Sequence, residues 1–226
     1  MRIRRLSAIS HRAWLAVGTA LLVLGLALAA WLSPVLSVRV IDVQGLEQLP
    51  RTEVLTALGG VEGTPLLRVD TEAAARRVAG IARVAQVRVK REYPSTLAVE
   101  IVERMPWAYY DGEDGPHMLD EFGVDYAVEP PPMGLPRIST PQALENPELL
   151  REGLQLLGEL PRPLWDQVSE LAINSKDDFE LTLYDGRRVR WGNAADTPLK
   201  GAVALAVLSQ PGQVFDISSP SLPTAK

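Results

Sequence analysis

The most distinct hydrophobic pattern in the chain is a run of nineteen residues without a charged side chain, from Trp14 to Leu32. A helix of that length spans roughly 28 Å, which is close to the hydrocarbon thickness of a bilayer. Trp14 and Trp31 lie near its two ends, where amphipathic rings favour the headgroup level. The pattern predicts a membrane span over residues 14–32, anchored by these two tryptophans.

The charges that flank this run predict its orientation. Four arginines and no acidic residue precede it: Arg2, Arg4, Arg5 and Arg12. Basic residues beside a first span remain cytoplasmic, so residues 1–13 are the predicted cytoplasmic tail and the C-terminal bulk is extracytoplasmic. A cleaved signal peptide is the alternative, because Ala27-Leu28-Ala29 has cleavage-like spacing. The apolar run exceeds a typical signal core of about 7–15 residues, which favours a retained anchor.

Residues 37–104 carry a pattern that predicts strand, helix, helix, strand and strand. The five predicted elements are Val38–Val43, Pro50–Leu58, Asp70–Gly80, Gln86–Lys90 and Thr96–Ile101. Both helices end at glycine, and the last two strands alternate apolar with polar residues, as half-buried strands do. This order predicts a three-stranded sheet with two helices on one face.

Residues 105–219 form a second segment in which predicted strands outnumber helices. Asp185-Gly186 lies between two alternating runs and is a strong hairpin signal. The predicted strands are Trp107–Tyr110, His117–Asp120, Leu171–Ile173, Phe179–Leu183, Arg187–Trp191 and Gln213–Ile217, and the predicted helices are Leu149–Leu160 and Leu199–Leu208. The fold class is therefore α+β, and residues 220–226 are predicted to be a flexible tail.

Charge and cysteine content narrow the classes of function. Beyond the predicted span the chain holds 19 basic and 28 acidic residues, a net charge of −9. Nucleic-acid binding needs clustered lysine and arginine, so we expect no nucleic-acid partner. The chain has no cysteine, which excludes disulfides, cysteine-based metal sites and cysteine nucleophiles.

Three groups of residues have types that can carry chemistry, and each has a structural interpretation that we favour. Asp111, Glu113 and Asp114 resemble a site for a hard cation, yet they lie between glycines at a hairpin tip. Residues 59–65 are glycine-rich but lack the Lys-Ser/Thr end of a phosphate loop. His117 has none of the partners found in hydrolase or zinc motifs. We therefore predict no catalytic residue, metal site, cofactor or small-molecule substrate.

The remaining basic and aromatic clusters also favour structural roles. The basic pairs at residues 76–77 and 90–91 are typical of a solvated face, with anionic headgroups or an acidic partner as the alternative. The aromatic residues within 107–110 favour packing, although aromatic side chains are also common at interfaces.

Several short motifs follow the span in a fixed order. They are the strand Ile41–Gly45, the run Val87–Ala108 with its Tyr-Pro, Glu-Arg and Pro-x-Ala, the Met118-Leu-Asp120-x-x-Gly123 pattern, Leu135–Ile138, and Phe179–Gly186 with Val189–Gly192. Together with the basic tail, they resemble the FtsQ/DivIB family of bacterial cell-division proteins. The resemblance implies that residues 37–104 are a POTRA domain and that residues 105–219 are a β-domain.

The resemblance also implies a function that involves no catalysis. Such a protein is a scaffold in the cell (inner) membrane that links early and late division proteins at the septum, with other components of the division machinery among its partners. Its implied partners are two small membrane proteins of the FtsB/DivIC and FtsL types. The physical means is β-augmentation, in which an exposed sheet edge pairs with an added strand.

The last predicted strand is the candidate docking edge. Its residues are Gln213, Val214, Phe215, Asp216 and Ile217, and only a loose tail is predicted after it. Phe215 and Ile217 are expected on one face, with Val214 and Asp216 on the other. The alternative is an interior strand whose edge is covered.

Two other functions are alternatives to the division scaffold. A POTRA-bearing secretion or envelope-assembly factor needs a long membrane-inserted strand domain, and the 120 or so residues after the POTRA domain carry no such pattern. A membrane-anchored envelope enzyme needs convergent catalytic groups, and the sequence shows no motif that supplies them.

Overall fold

The computed structural model describes residues 11–32, 36–140 and 144–225, and for residues 11–13 and 26–32 it describes the helix without its side chains. The apolar run lies in helix α1 (His11–Leu32). Among the described residues, no helix is long and apolar enough to cross a membrane. The span over residues 14–32 stays a prediction. Arg2, Arg4 and Arg5 lie outside the described residues, as do the side chains of Arg12 and Trp31.

The first of two compact units ends at Glu103 and has the predicted order of strands and helices. Its elements are β1 (Val40–Gln44), α2 (Arg51–Leu58), α3 (Thr71–Ala79), β2 (Val84–Glu92) and β3 (Thr96–Glu103), with a short 3-10 turn at Leu66–Arg68. The sheet order is β1–β3–β2, in which β1 runs parallel and β2 antiparallel to β3. The α+β prediction for this unit is confirmed.

Local sequence signals explain the two helices of this unit. Val54 and Leu58 are fully buried one turn apart on α2, as the helical spacing predicts. The Asp70 carboxylate accepts a hydrogen bond of 2.9 Å from the Ala73 amide and caps α3. Gly45 follows β1 with φ of 83°, and a Cβ there would lie 1.9 Å from the Ile101 carbonyl oxygen. Only glycine fits where the chain passes so close to β3.

Glu103, the last residue of β3, holds the loop that leads to α2. Its carboxylate accepts hydrogen bonds from the backbone amides of Glu47 at 2.7 Å, Leu49 at 2.9 Å and Gln48 at 3.1 Å. Burial raises the pKa of Glu103, but the three amide donors outweigh it and leave the pKa below its usual value. The carboxylate therefore works as an anion that organises the loop.

Arg104, the next residue, begins the second unit and is anchored inside it. Its Nη1 lies 2.5 Å from Oδ2 of Asp120, whose surface is 4% exposed. The Glu103 carboxylate thus accepts hydrogen bonds within the first unit, and the Arg104 guanidinium pairs with Asp120 within the second.

The second unit is built on a nine-stranded sheet. Its strands are β4 (Ala108–Gly112), β5 (Gly115–Leu119), β6 (Asp125–Val128), β7 (Arg137–Ile138), β8 (Val168–Ser175), β9 (Asp178–Leu183), β10 (Arg188–Gly192), β11 (Val214–Asp216) and β12 (Thr224–Ala225). Its helices are α4 (Pro147–Glu159), α5 (Arg162–Trp165) and α6 (Thr197–Val207). The sheet order is β12–β11–β10–β9–β8–β7–β4–β5–β6.

Alternation along the central strands separates a core face from a polar face. On β9 and β10, Phe179 and Trp191 are fully buried, whereas Glu180 and Arg190 alternate with them on the other face. Helix α4 packs on the core face, with Gly153 directly against Ile173. This arrangement agrees with the predicted mixed β-domain.

The structure also differs from the prediction at four elements of this unit. Strands β6, β7 and β12 and the one-turn helix α5 were not predicted, and each has only two to four residues. Segments this short carry too few positions to show a period. Their conformation depends on the neighbouring strand or helix, which the local sequence does not specify.

Candidate docking edge of the C-terminal sheet

The predicted docking strand forms β11, which lies next to β10 in parallel register. Val189 is opposite Phe215, and Ile217 donates its amide to the Arg190 carbonyl at 3.0 Å. Phe215 and Ile217 are fully buried, while Val214 and Asp216 are half-buried. The two faces of the strand are therefore those that the alternation predicts.

The outer side of β11 is not free. Residues Thr224 and Ala225 form β12, which pairs antiparallel with β11, with Ala225 opposite Phe215 and Thr224 opposite Asp216. The prediction that β11 is the outermost strand is wrong, because part of the predicted flexible tail folds back onto it. The chain reverses in a turn within residues 218–223, which contains two prolines, but these prolines indicate only a turn and not pairing with β11.

Strand β12 is the last strand of the sheet on this side. Both of its residues are exposed, and Leu222, which precedes it, exposes 77% of its surface. An edge strand presents main-chain donors and acceptors toward solvent, so this edge is able to pair with a further strand. Gln213, Val214, Phe215, Asp216 and Ile217 form or flank the strand behind the edge rather than the edge itself.

Two side-chain contacts hold this end of the sheet in place. The Asp216 carboxylate accepts hydrogen bonds from the Ser218 amide at 3.1 Å and hydroxyl at 2.7 Å, which starts the turn toward β12. The Arg187 guanidinium lies 5.9 Å from the centre of the Phe215 ring and donates to the Leu208 carbonyl at 2.6 Å. The edge is therefore supported by an ordered strand and turn.

The acidic hairpin tip and His117 form one hydrogen-bonded cluster away from this edge. Nδ1 of His117 lies 2.7 Å from the Asp125 carboxylate and Nε2 lies 2.7 Å from the Asp114 carboxylate. The Tyr110 hydroxyl donates to Asp125 at 2.8 Å, and the Tyr110 ring stacks on the imidazole at 4.7 Å. The hydrogen bond to Asp114, followed by the one to Asp125, raises the pKa of His117.

Asp111, on the same hairpin, does not join this cluster. Its carboxylate forms an ion pair with Arg137 at 3.0 Å.

Lys200 on α6 is a buried cation with a structural role. Its Nζ donates to the carbonyl and side-chain oxygens of Asn193, both at 2.9 Å. Burial lowers the pKa of Lys200, and nearby Asp196 opposes that shift. Within residues 11–32, 36–140 and 144–225, no group of three or more histidine or carboxylate side chains is gathered to hold a metal ion.

Two protein-family models match the chain. The FtsQ-type POTRA domain matches residues 36–104, and the C-terminal domain of cell division protein FtsQ/DivIB matches residues 108–219. The two matches follow the two compact units, which divide between residues 103 and 104.

Curated relatives carry the same description. Cell division protein FtsQ of Mycolicibacterium smegmatis is 45% identical over 213 residues, which cover 94% of this chain and 64% of that protein. Cell division protein FtsQ of Corynebacterium glutamicum is 31% identical over 204 residues, covering 89% of this chain and 91% of that protein. The chain thus spans less than two thirds of the first relative and most of the second.

A solved structure of the extracytoplasmic domain of the cell-division protein DivIB from Geobacillus stearothermophilus is a more distant match. It is 19% identical, with a TM-score of 0.35, and covers 48% of this chain.

Proposed function

Because the chain belongs to the FtsQ/DivIB family of cell-division proteins, we propose that it is a non-enzymatic scaffold of the division machinery. It connects division proteins at the septum by binding them rather than by transforming a substrate. The family membership supports the role in division, and the sheet edge at β12 supports the means of binding.

The scaffold is held in the cell membrane by the apolar run of residues 14–32. The four arginines before it keep the N-terminus cytoplasmic and place both folded units outside the cytoplasm. Retention at the membrane suits a protein whose partners are membrane proteins, since confinement to one surface raises their effective concentration.

The partner is a small division protein of the FtsB/DivIC type, in complex with one of the FtsL type, that adds a strand beside β12. Main-chain hydrogen bonds supply affinity in this mode of recognition, and side chains on alternate positions supply specificity. The observation that carries the proposal is that the nine-stranded sheet ends at a two-residue strand with exposed side chains.

Proline substitutions at the edge test this mode of binding. Successive residues of an antiparallel strand point their amides to opposite sides, so one of the two β12 amides faces β11 and the other faces outward. Proline lacks an amide hydrogen, so Thr224→Pro and Ala225→Pro each remove one of these two donors. At least one variant is expected to retain less than a tenth of the partner complex that wild type retains in pull-down with the full-length, detergent-solubilised protein.

Ser221→Pro is the matched control, because it adds a proline to the preceding turn and leaves the β11–β12 ladder intact. It should bind normally. Circular dichroism of all three variants should match wild type. If both edge variants capture the partner complex as well as wild type does, docking at this edge is wrong. If depletion of the protein in its own organism leaves septation normal under the microscope, the division role itself is wrong.

A further inference from the structure

An aromatic side chain is held in solvent by a rigid loop at the start of the second unit. Phe122 exposes 62% of its surface. The Asp120 carboxylate accepts hydrogen bonds from the backbone amides of Phe122 at 2.9 Å and Val124 at 2.8 Å. Because Asp120 is itself buried and paired with Arg104, the loop conformation is fixed and the ring remains uncovered.

A cleft of about 380 Å³ opens beside this ring. Its lining is Phe122 and Glu121 on the loop, Trp107 before β4, and Arg151, Leu154, Gln155, Gly158 and Glu159 on α4. Trp107 is held by a hydrogen bond of 3.1 Å to the Leu154 carbonyl and by the Trp165 ring at 5.0 Å. A Cβ at residue 158 would lie 3.2 Å from the indole, so the glycine leaves the indole edge open to the cleft.

The size and charge of the cleft define what it can hold. A volume of about 380 Å³ lies at the lower end of the range for ligand sites and accommodates one large side chain. The lining includes two carboxylates, Glu121 and Glu159, and one guanidinium, Arg151. The second unit as a whole has 19 acidic and 10 basic residues, so the surrounding field also favours a cation.

We infer that this cleft docks a segment of a partner protein that inserts one aromatic or leucine side chain between Phe122 and Trp107. A lysine or arginine next to that side chain meets Glu121 and Glu159. Preformed aromatic anchors of this kind dominate the binding energy of protein interfaces, because they need no ordering when the partner arrives. The inference does not rest on docking at β12.

The sequence motif Met118-Leu-Asp120-x-x-Gly123 gains a physical meaning from this arrangement. Asp120 and Gly123 form the turn, the latter with φ of 79° and an amide bonded to the Asp120 carbonyl at 3.0 Å. The two residues between them, Glu121 and Phe122, are the ones that the turn presents to the cleft.

Short peptides blocked at both ends test the assignment on the full-length protein in detergent micelles. The probes are GKFKG, its acidic counterpart GEFEG, and GKAKG, which lacks the aromatic ring. GKFKG is expected to shift the NMR signals of the Leu154 methyl groups and the Phe122 amide. It should bind at least several-fold more tightly than GEFEG, and GKAKG should cause no shift at Leu154.

Two variants distinguish recognition from structural damage. The double variant Glu121→Lys with Glu159→Lys is expected to reverse the order of affinities, so that GEFEG binds more tightly than GKFKG. Unfolding of the variant cannot produce such a reversal. Phe122→Ala is expected to weaken GKFKG at least fivefold. Glu148→Lys alters charge on the same helix outside the cleft and should change binding less than twofold.

Three outcomes overturn the assignment. They are the absence of shifts at Leu154 with any peptide, equal affinity for the basic and acidic peptides, and an order of affinities that the double variant leaves unchanged. Shifts at Leu154 that grow with protein concentration in the absence of peptide would identify a second copy of the chain as the occupant, and they would also overturn it.

Discussion

At the scale of single residues, the hydrogen bonds of His117 determine its charge. Both ring nitrogens lie 2.7 Å from carboxylates, which accept hydrogen bonds but do not donate them once ionised. A neutral imidazole has only one N–H, so the imidazolium is the form that donates to both carboxylates, and these hydrogen bonds raise the pKa of His117. The sequence predicted a structural hairpin histidine but not this pairing, because Asp125 belongs to β6, whose four residues show no clear period.

The His117 cluster predicts a stability that falls at high pH. The Asp114 and Asp125 hydrogen bonds raise the pKa of His117 above 6.5 in the folded state. Its contribution is therefore complete below pH 6.5 and is lost as the pH rises through the raised value. Urea unfolding of the full-length protein between about pH 5 and 9 should show this decline.

His117→Asn is the control for that titration, because it keeps a polar side chain that does not ionise. Its unfolding free energy should vary less with pH over the same interval. A wild-type protein whose stability is constant from below pH 6.5 upward would contradict the assignment of the charge to His117.

At the scale of elements, period and burial explain which strands the sequence predicts. Strands β9, β10 and β11 alternate buried with exposed or half-buried residues, and each was predicted within one or two residues of its observed bounds. Both residues of β12 are exposed, so the strand shows no alternation of buried and exposed positions. Its conformation comes from pairing with β11, which explains why the true edge of the sheet could not be read from the sequence.

The close approach of β1 to β3 makes a prediction about Gly45. Alanine there adopts a positive φ, which costs about 1–2 kcal/mol, and its Cβ meets the Ile101 carbonyl oxygen, which adds overpacking of about 1–3 kcal/mol. Gly45→Ala should therefore lower the unfolding free energy of the first unit by about 3 kcal/mol, measured by denaturant titration.

Gly60→Ala separates the two costs. Residue 60 also has a positive φ, of 68°, but a Cβ there has no atom within 4 Å, so only the conformational cost of about 1–2 kcal/mol is expected. Equal losses in the two variants would contradict the steric role of the Ile101 carbonyl.

At the scale of the whole molecule, charge is divided unequally between the two units. Residues 33–103 have nine basic and nine acidic side chains, whereas residues 104–226 have ten basic and nineteen acidic ones. The net charge of −9 that the sequence gives for the whole region beyond the span therefore resides in the second unit. The second unit therefore produces most of the negative electrostatic field of this region.

The anchors of Glu103 and Arg104 predict that neighbouring substitutions affect different units. Glu103→Gln removes the negative charge to which three backbone amides donate, and it should lower the unfolding free energy by about 1–3 kcal/mol. It should also speed amide hydrogen exchange at residues 47–49. Arg104→Gln should instead speed exchange at Phe122 and Val124, because it removes the partner of Asp120.

Glu92→Gln is the control, since it neutralises an exposed carboxylate at the end of β2 and should leave both patterns unchanged. Faster exchange throughout both units in Glu103→Gln would contradict the separation of the two anchors.

The hydrogen bonds of Glu103 and the ion pair of Arg104 also determine where the chain can be divided into separate fragments. A fragment that stops before Glu103 loses the carboxylate that organises residues 47–49, and a fragment that starts after Arg104 leaves Asp120 without its guanidinium. Dividing the two units without removing either anchor is thus possible only at the peptide bond between these two residues. Truncation boundaries chosen a few residues to either side would produce a weakened domain and an apparent loss of function unrelated to any binding surface.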